Sequence, residues 1–137
     1  MRIMAIDYGD AHTGIAISDP TVFLAGTTTT IHSRKAEVVL EELRKLVEQH
    51  KVEELVMGFP RNMDGTEGPR AELCRGFAQQ LREASGIEVT MWDERRTTVE
   101  AHNILSQHNY HGKKRKDTVD AVAASLILEG YLNFRGR

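Results

Sequence analysis

Asp7, Asp93, Glu94 and Asp120 lie far apart in the chain, each at the edge of a strand-like or helix-like stretch. Carboxylates brought together from separate elements are what a hard divalent cation such as Mg²⁺ requires. It takes oxygen ligands, usually one or two carboxylates per ion, with water or a substrate phosphate completing the shell. The spacing therefore predicts metal-assisted hydrolysis of a phosphate ester.

Asp7 follows a short apolar run and precedes Tyr8-Gly9, which opens a turn. An acid at the end of a central strand projects where ligands gather in open α/β sheets. Asp10 stands within the turn and is expected to hydrogen-bond its own backbone instead. In Asp93-Glu94-Arg95-Arg96, successive strand residues point to opposite faces, so the two acids cannot both meet one metal without a bend. Glu94 is expected to be the ligand, Asp93 an auxiliary one, and Arg95 a holder of substrate phosphate. The competing reading, a solvated charge run ahead of a helix, is about equally supported by spacing alone. Asp120 lies one turn into an apolar helix, next to the small residues Ala123 and Ala124, which permit close packing on the sheet. Asp117 is expected to be a cap or a dipole partner.

Two further segments suit a polyanion. The stretch from Gly58 to Pro69 is rich in turn formers ahead of a helix, so it can offer backbone N–H groups to a phosphate, with Arg61, Asn62 and Thr66 adding side chains. A plain strand-to-helix connection is the alternative for this loop. Lys113, Lys114, Arg115 and Lys116 form a basic cluster, expected to lie in a loop running from His108 and to bind nucleic acid through phosphates. The 6 histidines show no zinc-like spacing. His12, close to Asp7, and His111, beside the basic cluster, are weaker candidates for touching substrate. Aromatic residues make up only 6% of the chain and are not interleaved with the basic cluster, so base stacking is not indicated.

These residues need a scaffold. Ile3–Asp7 and Gly14–Ser18 read as a hairpin, and the threonine-rich Ala25–Ile31 as a third antiparallel strand. Lys35–Gln49 places Val39, Leu43, Leu46 and Val47 at helical spacing. Glu54–Met57 is a brief strand. Pro69 opens a helix to Ser85, with Gly86 as its stop. Ile87–Met91 is a strand, and Thr97–Gln107 a helix with a capping box at Thr97-Thr98-Val99-Glu100. The last helix is expected from Asp117 to Leu132, with Val119, Val122, Ala123, Leu126 and Ile127 on its core side. The result is an α/β fold: a mixed five-stranded sheet, three antiparallel strands then two parallel additions, flanked by helices. That order is ribonuclease H-like.

With 137 residues, one domain (1–137) is expected, and 40% hydrophobic residues suffice for a core without disulfides. The single cysteine, Cys74, fits a small apolar role in a helix and a reducing, cytoplasmic setting. No segment reads as a signal peptide or a membrane span. The net charge of −2 supplies no global attraction to nucleic acid, so binding must come from local basic clusters.

Four motifs occur in family order: Asp7-Tyr8-Gly9 with Gly14-Ile15-Ala16; Gly58-Phe59-Pro60 with Asn62-Met63-Asp64-Gly65-Thr66; Asp93-Glu94-Arg95 with Thr97-Thr98; and Val119-Asp120-Ala121 with Ala123-Ala124. Through them nearly the whole chain closely resembles the YqgF family of pre-16S rRNA nucleases, similar to Holliday junction resolvases of the ribonuclease H-like superfamily. The resemblance implies a cytoplasmic bacterial nuclease acting in 5′-end maturation of 16S rRNA, with Asp7, Glu94 (or Asp93) and Asp120 as its catalytic acids. Members commonly carry basic residues in the turn after the first acid; here Ala11-His12 stands there. The expected cofactor is Mg²⁺ or Mn²⁺, as two ions about 3.5–4 Å apart, with Asp7 bridging them and Glu94 and Asp120 holding one each. The expected partner is nucleic acid: pre-rRNA first, structured DNA second. A monomer or weak homodimer without membrane association is anticipated. The alternatives are a junction-resolving DNA nuclease and a binding module without catalysis. An actin-like ATPase needs two such domains, and the chain has room for one.

Overall fold

The computed structural model describes residues 2–19, 25–59, 68–93 and 112–135, with the backbone alone for residue 25 and for 112–121. Its elements are β1 (Arg2–Asp7), β2 (His12–Ser18), β3 (Ala25–His32), α1 (Ala36–His50), β4 (Val52–Phe59), α2 (Pro69–Ser85), β5 (Val89–Asp93) and α3 (Gly112–Arg135). The strands form one sheet in the order β3-β2-β1-β4-β5. β1, β2 and β3 pair antiparallel. β4 and β5 add in parallel beside β1. The expected mixed five-stranded sheet is the one observed.

Side-chain alternation divides the core between the two faces. Met4, Ile6, Ile15, Ile17, Leu55, Met57 and Phe59 pack under α1 and α2, against Val39, Leu43, Ala71, Cys74, Phe77 and Leu81. Ile3, Ala5, Ala16 and Val56 occupy the other face and pack under α3, against Ala124, Ile127, Leu128, Tyr131 and Leu132. β1 and β4 are apolar on both faces because each face carries a helix. Cys74 is buried in the first layer, as a small apolar residue would be.

Helix ends follow local chemistry. α2 has Pro69 at its first position and ends at Gly86, whose φ of 75° is left-handed and whose N–H donates to the Arg82 carbonyl at 2.8 Å. The expected span for α2 is met. α1 ends at Lys51, also left-handed, and Arg2 of β1 donates to the last carbonyl of the helix, that of His50, at 3.0 Å.

Three expectations are corrected. The Ile87–Met91 strand lies two residues further on, at Val89–Asp93, because the parallel register sets Leu55 against Val89 and Phe59 against Asp93. The basic run 113–116 is helical, since α3 begins at Gly112. Lys and Arg are good helix formers, but a run of basic residues carries no apolar period to reveal it. The buried row of α3 is Ala124, Ile127, Leu128, Tyr131 and Leu132, whereas Val122, Ala123 and Leu126 are half-buried. This helix is apolar on several sides, so packing chooses the row. Tyr131 donates to Glu54 at 3.1 Å, Arg135 pairs with the same carboxylate at 3.2 Å, and Trp92 closes on Gly130. A Cβ on Gly130 would stand 3.0 Å from the indole. The expected helix over Thr97–Gln107 and the start of the loop at His108 lie outside the described residues.

Candidate active site at the carboxyl edge of the sheet

Because β1, β4 and β5 are parallel, their carboxyl ends leave the sheet along one edge. Asp7 ends β1, the central strand, and stands opposite Gly14 of β2. Asp93 ends β5, opposite Phe59. The two acids are two strands apart, roughly 10 Å at normal strand spacing. Alternation separates them further. Asp7 has the parity of Ile3 and Ala5 and so falls on the α3 face. Asp93 has the parity of Val89 and Met91, which pack with the α1/α2 layer. Asp7 is half-exposed, buried enough to be directed yet open to a ligand.

Asp120 is described by its backbone and stands one helical turn before Ala124, in line with Ile127 and Tyr131 at steps of seven and eleven. That line is the one packed on the face that carries Asp7. The corrected row of α3 thus brings the position of Asp120 onto the sheet side.

The turn after Asp7 is pinned to α2. The Tyr8 ring crosses to the opposite face and stacks on Phe77, with centroids 4.0 Å apart and planes 8° from parallel. Such a pair contributes about 0.5–1.5 kcal/mol beyond its buried area. Arg70 donates through Nη2 to the Tyr8 carbonyl and through Nη1 to Asp10 Oδ1 at 2.7 Å, and its guanidinium lies 5.2 Å from the Tyr8 ring centroid. Burial, the largest influence, raises the Tyr8 phenol above its ordinary value and outweighs the opposing charge of Arg70. Gly9 leaves no slack in the turn, since a Cβ there would lie 2.2 Å from the His12 carbonyl oxygen. Asp10, expected to cap its own turn, serves instead as the anion that receives Arg70. His12 falls on the face of Asp7 and meets His32 of β3 edge to face, with centroids 4.9 Å apart.

Arg70 and Tyr8 were not legible as site residues. A usable signal was present for Arg70: a cation in the first turn of a helix opposes the macrodipole and implies a specific partner. Of the other expected site residues, Glu94, Arg95, Arg61, Asn62 and Thr66 lie outside the described residues. Lys113, Lys114, Arg115 and Lys116 are placed by backbone alone, in the first turns of α3. Among the described residues, no three His, Cys, Asp or Glu side chains converge as a metal site. Among the same residues, no helix is long and apolar enough to cross a membrane.

This architecture defines a class. It is similar over 98% of its length to the Thermus thermophilus RuvC chain solved in complex with a Holliday junction substrate, with a TM-score of 0.65 and 11% identity over 96% of that chain. The fowlpox virus resolvase solved with Holliday junction DNA gives 0.62 at 12% identity, with both chains fully covered. At such identities the likeness is one of fold, the ribonuclease H-like fold of the resolvases.

The family follows from the sequence relatives. Residues 1–134 match the family model "RuvX: Holliday junction resolvase". A protein of Carboxydothermus hydrogenoformans named "Putative pre-16S rRNA nuclease" is 43% identical over all 137 residues and 99% of its own length. One of the same name from Halothermothrix orenii is 44% identical over 137 residues and 98% of its length. The chain belongs to the RuvX family of nucleases.

Proposed function

We propose that this chain is a metal-dependent endonuclease that hydrolyses phosphodiester bonds, acting in the cytoplasm on the 5′ end of pre-16S rRNA as a monomer or weak homodimer. The observation that carries the reading is that Asp7, at the carboxyl edge of a resolvase-type sheet, falls on the face covered by α3, whose packed row Ala124, Ile127 and Tyr131 leads back to the position of Asp120. The substrate class comes from the full-length relatives, named for pre-16S rRNA.

The donor set fits a hard cation. Asp7, Glu94 and Asp120 offer carboxylate oxygens only, the ligands that Mg²⁺ and Mn²⁺ take. Parity counts against Asp93, which falls on the α1/α2 face while Asp7 falls on the α3 face, so of the two adjacent acids Glu94 is taken as the ligand. When bound, the ions polarise the scissile phosphate and acidify the attacking water. The chain's own residues do the remaining work. Asp7 sets the position of the site through the rigid β1 ladder. Arg95 offsets charge on the phosphate. Arg61, Asn62 and Thr66 orient the strand being cut, and Lys113, Lys114, Arg115 and Lys116 gather the polyanion.

The test uses wild type and Asp7→Asn with single-stranded RNA bearing a pre-16S 5′ extension and with a four-way DNA junction, each in Mg²⁺, in Mn²⁺ and in EDTA. Metal-dependent RNA cleavage lost in Asp7→Asn is the expected outcome. Preferential cutting of the junction would move the substrate to DNA. Binding without turnover in any metal would make the chain a binding module.

A further inference from the structure

We infer that Arg70 is a positioning residue for Asp7, locking the Tyr8–Asp10 turn onto α2 and so fixing where the Asp7 carboxylate stands. The inference rests on the reading of Asp7 as a metal-binding acid.

On its amino-terminal side, Asp7 is held by the ladder to β2 and β4, but the chain leaves the sheet at Tyr8. Beyond that point the ladder offers nothing, and α2 takes over. One guanidinium satisfies the Tyr8 carbonyl and the Asp10 carboxylate together and covers the face of the Tyr8 ring, which rests on Phe77. The planar fork of arginine can serve two acceptors at once, whereas an ammonium is a point donor. These contacts join residues 60 and 62 positions apart in sequence, so they fix a tertiary relation and not a local turn. Asp10 is 80% exposed in this pair, and an exposed ion pair adds little to stability. Its consequence is orientation. Gly9 is packed against the His12 carbonyl, so a shift of the turn passes to Asp7 on one side and to β2 on the other. Arg70 itself acts on the opposite face from Asp7 and reaches it only through this backbone.

The experiment compares wild type, Arg70→Ala, Arg70→Lys and Asp10→Ala by Mn²⁺ titration calorimetry and by cleavage of the 5′-extended RNA, with Arg44→Ala on α1 as a surface control. In Arg70→Ala, Mn²⁺ affinity and kcat each fall by about 10–100-fold, the range for groups that orient a metal ligand. KM for RNA stays within about twofold, because substrate contacts are untouched. Asp10→Ala shows a smaller loss in the same two quantities, and Arg70→Lys recovers part of it. Wild-type Mn²⁺ affinity and kcat in Arg70→Ala would overturn the inference. So would a change confined to KM, which would make Arg70 a substrate contact. If Arg70→Ala fails to fold, Asp10→Ala decides, and unchanged Mn²⁺ affinity there would count against positioning. A different failure is recognisable: wild type that neither takes up Mn²⁺ nor cleaves, or Asp7→Asn that equals it, removes the nuclease reading and this inference with it.

Discussion

Asp7 and Asp93 end parallel strands on one edge of the sheet and fall on opposite faces. Their separation ranks the acids. Asp7→Asn should lower cleavage by more than about a hundredfold, beyond the range of residues that merely support a ligand. Glu94→Gln should approach that loss, while Asp93→Asn should stay within about tenfold. Single-turnover cleavage of the three proteins measures the ranking. A severe Asp93 variant beside a mild Glu94 variant would reverse the ligand assignment.

The basic run is helical, so its four residues are spread around an axis, about 100° apart. A single strand passing along one side meets about two of them. Replacing Lys113, Lys114, Arg115 and Lys116 by Ala should therefore flatten the slope of log K against log salt by about 1.4, at about 0.7 per phosphate contact. Fluorescence anisotropy over a salt series reads the slope directly. No change would remove this segment from the interface.

Gly9 permits an approach to the His12 carbonyl that no side chain tolerates. Gly9→Ala forces the turn open and should cost about 1–3 kcal/mol, the usual penalty of overpacking. Urea denaturation gives the figure, and cleavage should fall in parallel because Asp7 is two residues away. A midpoint equal to wild type would show that the turn can open freely.

Stability should decline at alkaline pH. Burial, the largest influence, raises the Tyr131 phenol above 10.0 and outweighs the opposing hydrogen bond with Thr90, while the bond to Glu54 acts in the same direction as burial. The folded state therefore holds a proton that the unfolded chain has lost. The associated stability is present below pH 10 and disappears as pH rises through the folded value. Tyr131→Phe should weaken this decline between about pH 9 and 11 in thermal melts, leaving the part due to Tyr8, raised by the same cause. An identical decline in the variant would locate the titration elsewhere.

Much of the fold was legible in residue order. The Pro69–Ser85 helix carries its own start and stop, and the Val39–Leu43–Leu46–Val47 row has one apolar side, so local chemistry sufficed. The acid at the end of β1 was legible because an apolar run breaks at Asp7. What failed had no local signal. α3 is apolar on several sides, and Ala124, Ile127, Leu128 and Tyr131 are the residues that meet Ile3, Ala5, Ala16 and Val56 of the sheet, with Glu54 and Trp92 contacting Tyr131 and Gly130. The helical state of 113–116 was hidden because an all-basic run shows no apolar period.

The sequence alone determined the family and the order of the described elements, because motif residues, apolar periods and helix stops are properties of residue type and order. Tertiary structure decided on which face of the sheet the described acid positions fall. Strand parity sent Asp93 away from Asp7, packing turned the Asp120 row of α3 toward it, and Arg70 reached across 60 residues to Asp10. Those relations depend on register and on contacts between distant segments, which no local pattern encodes.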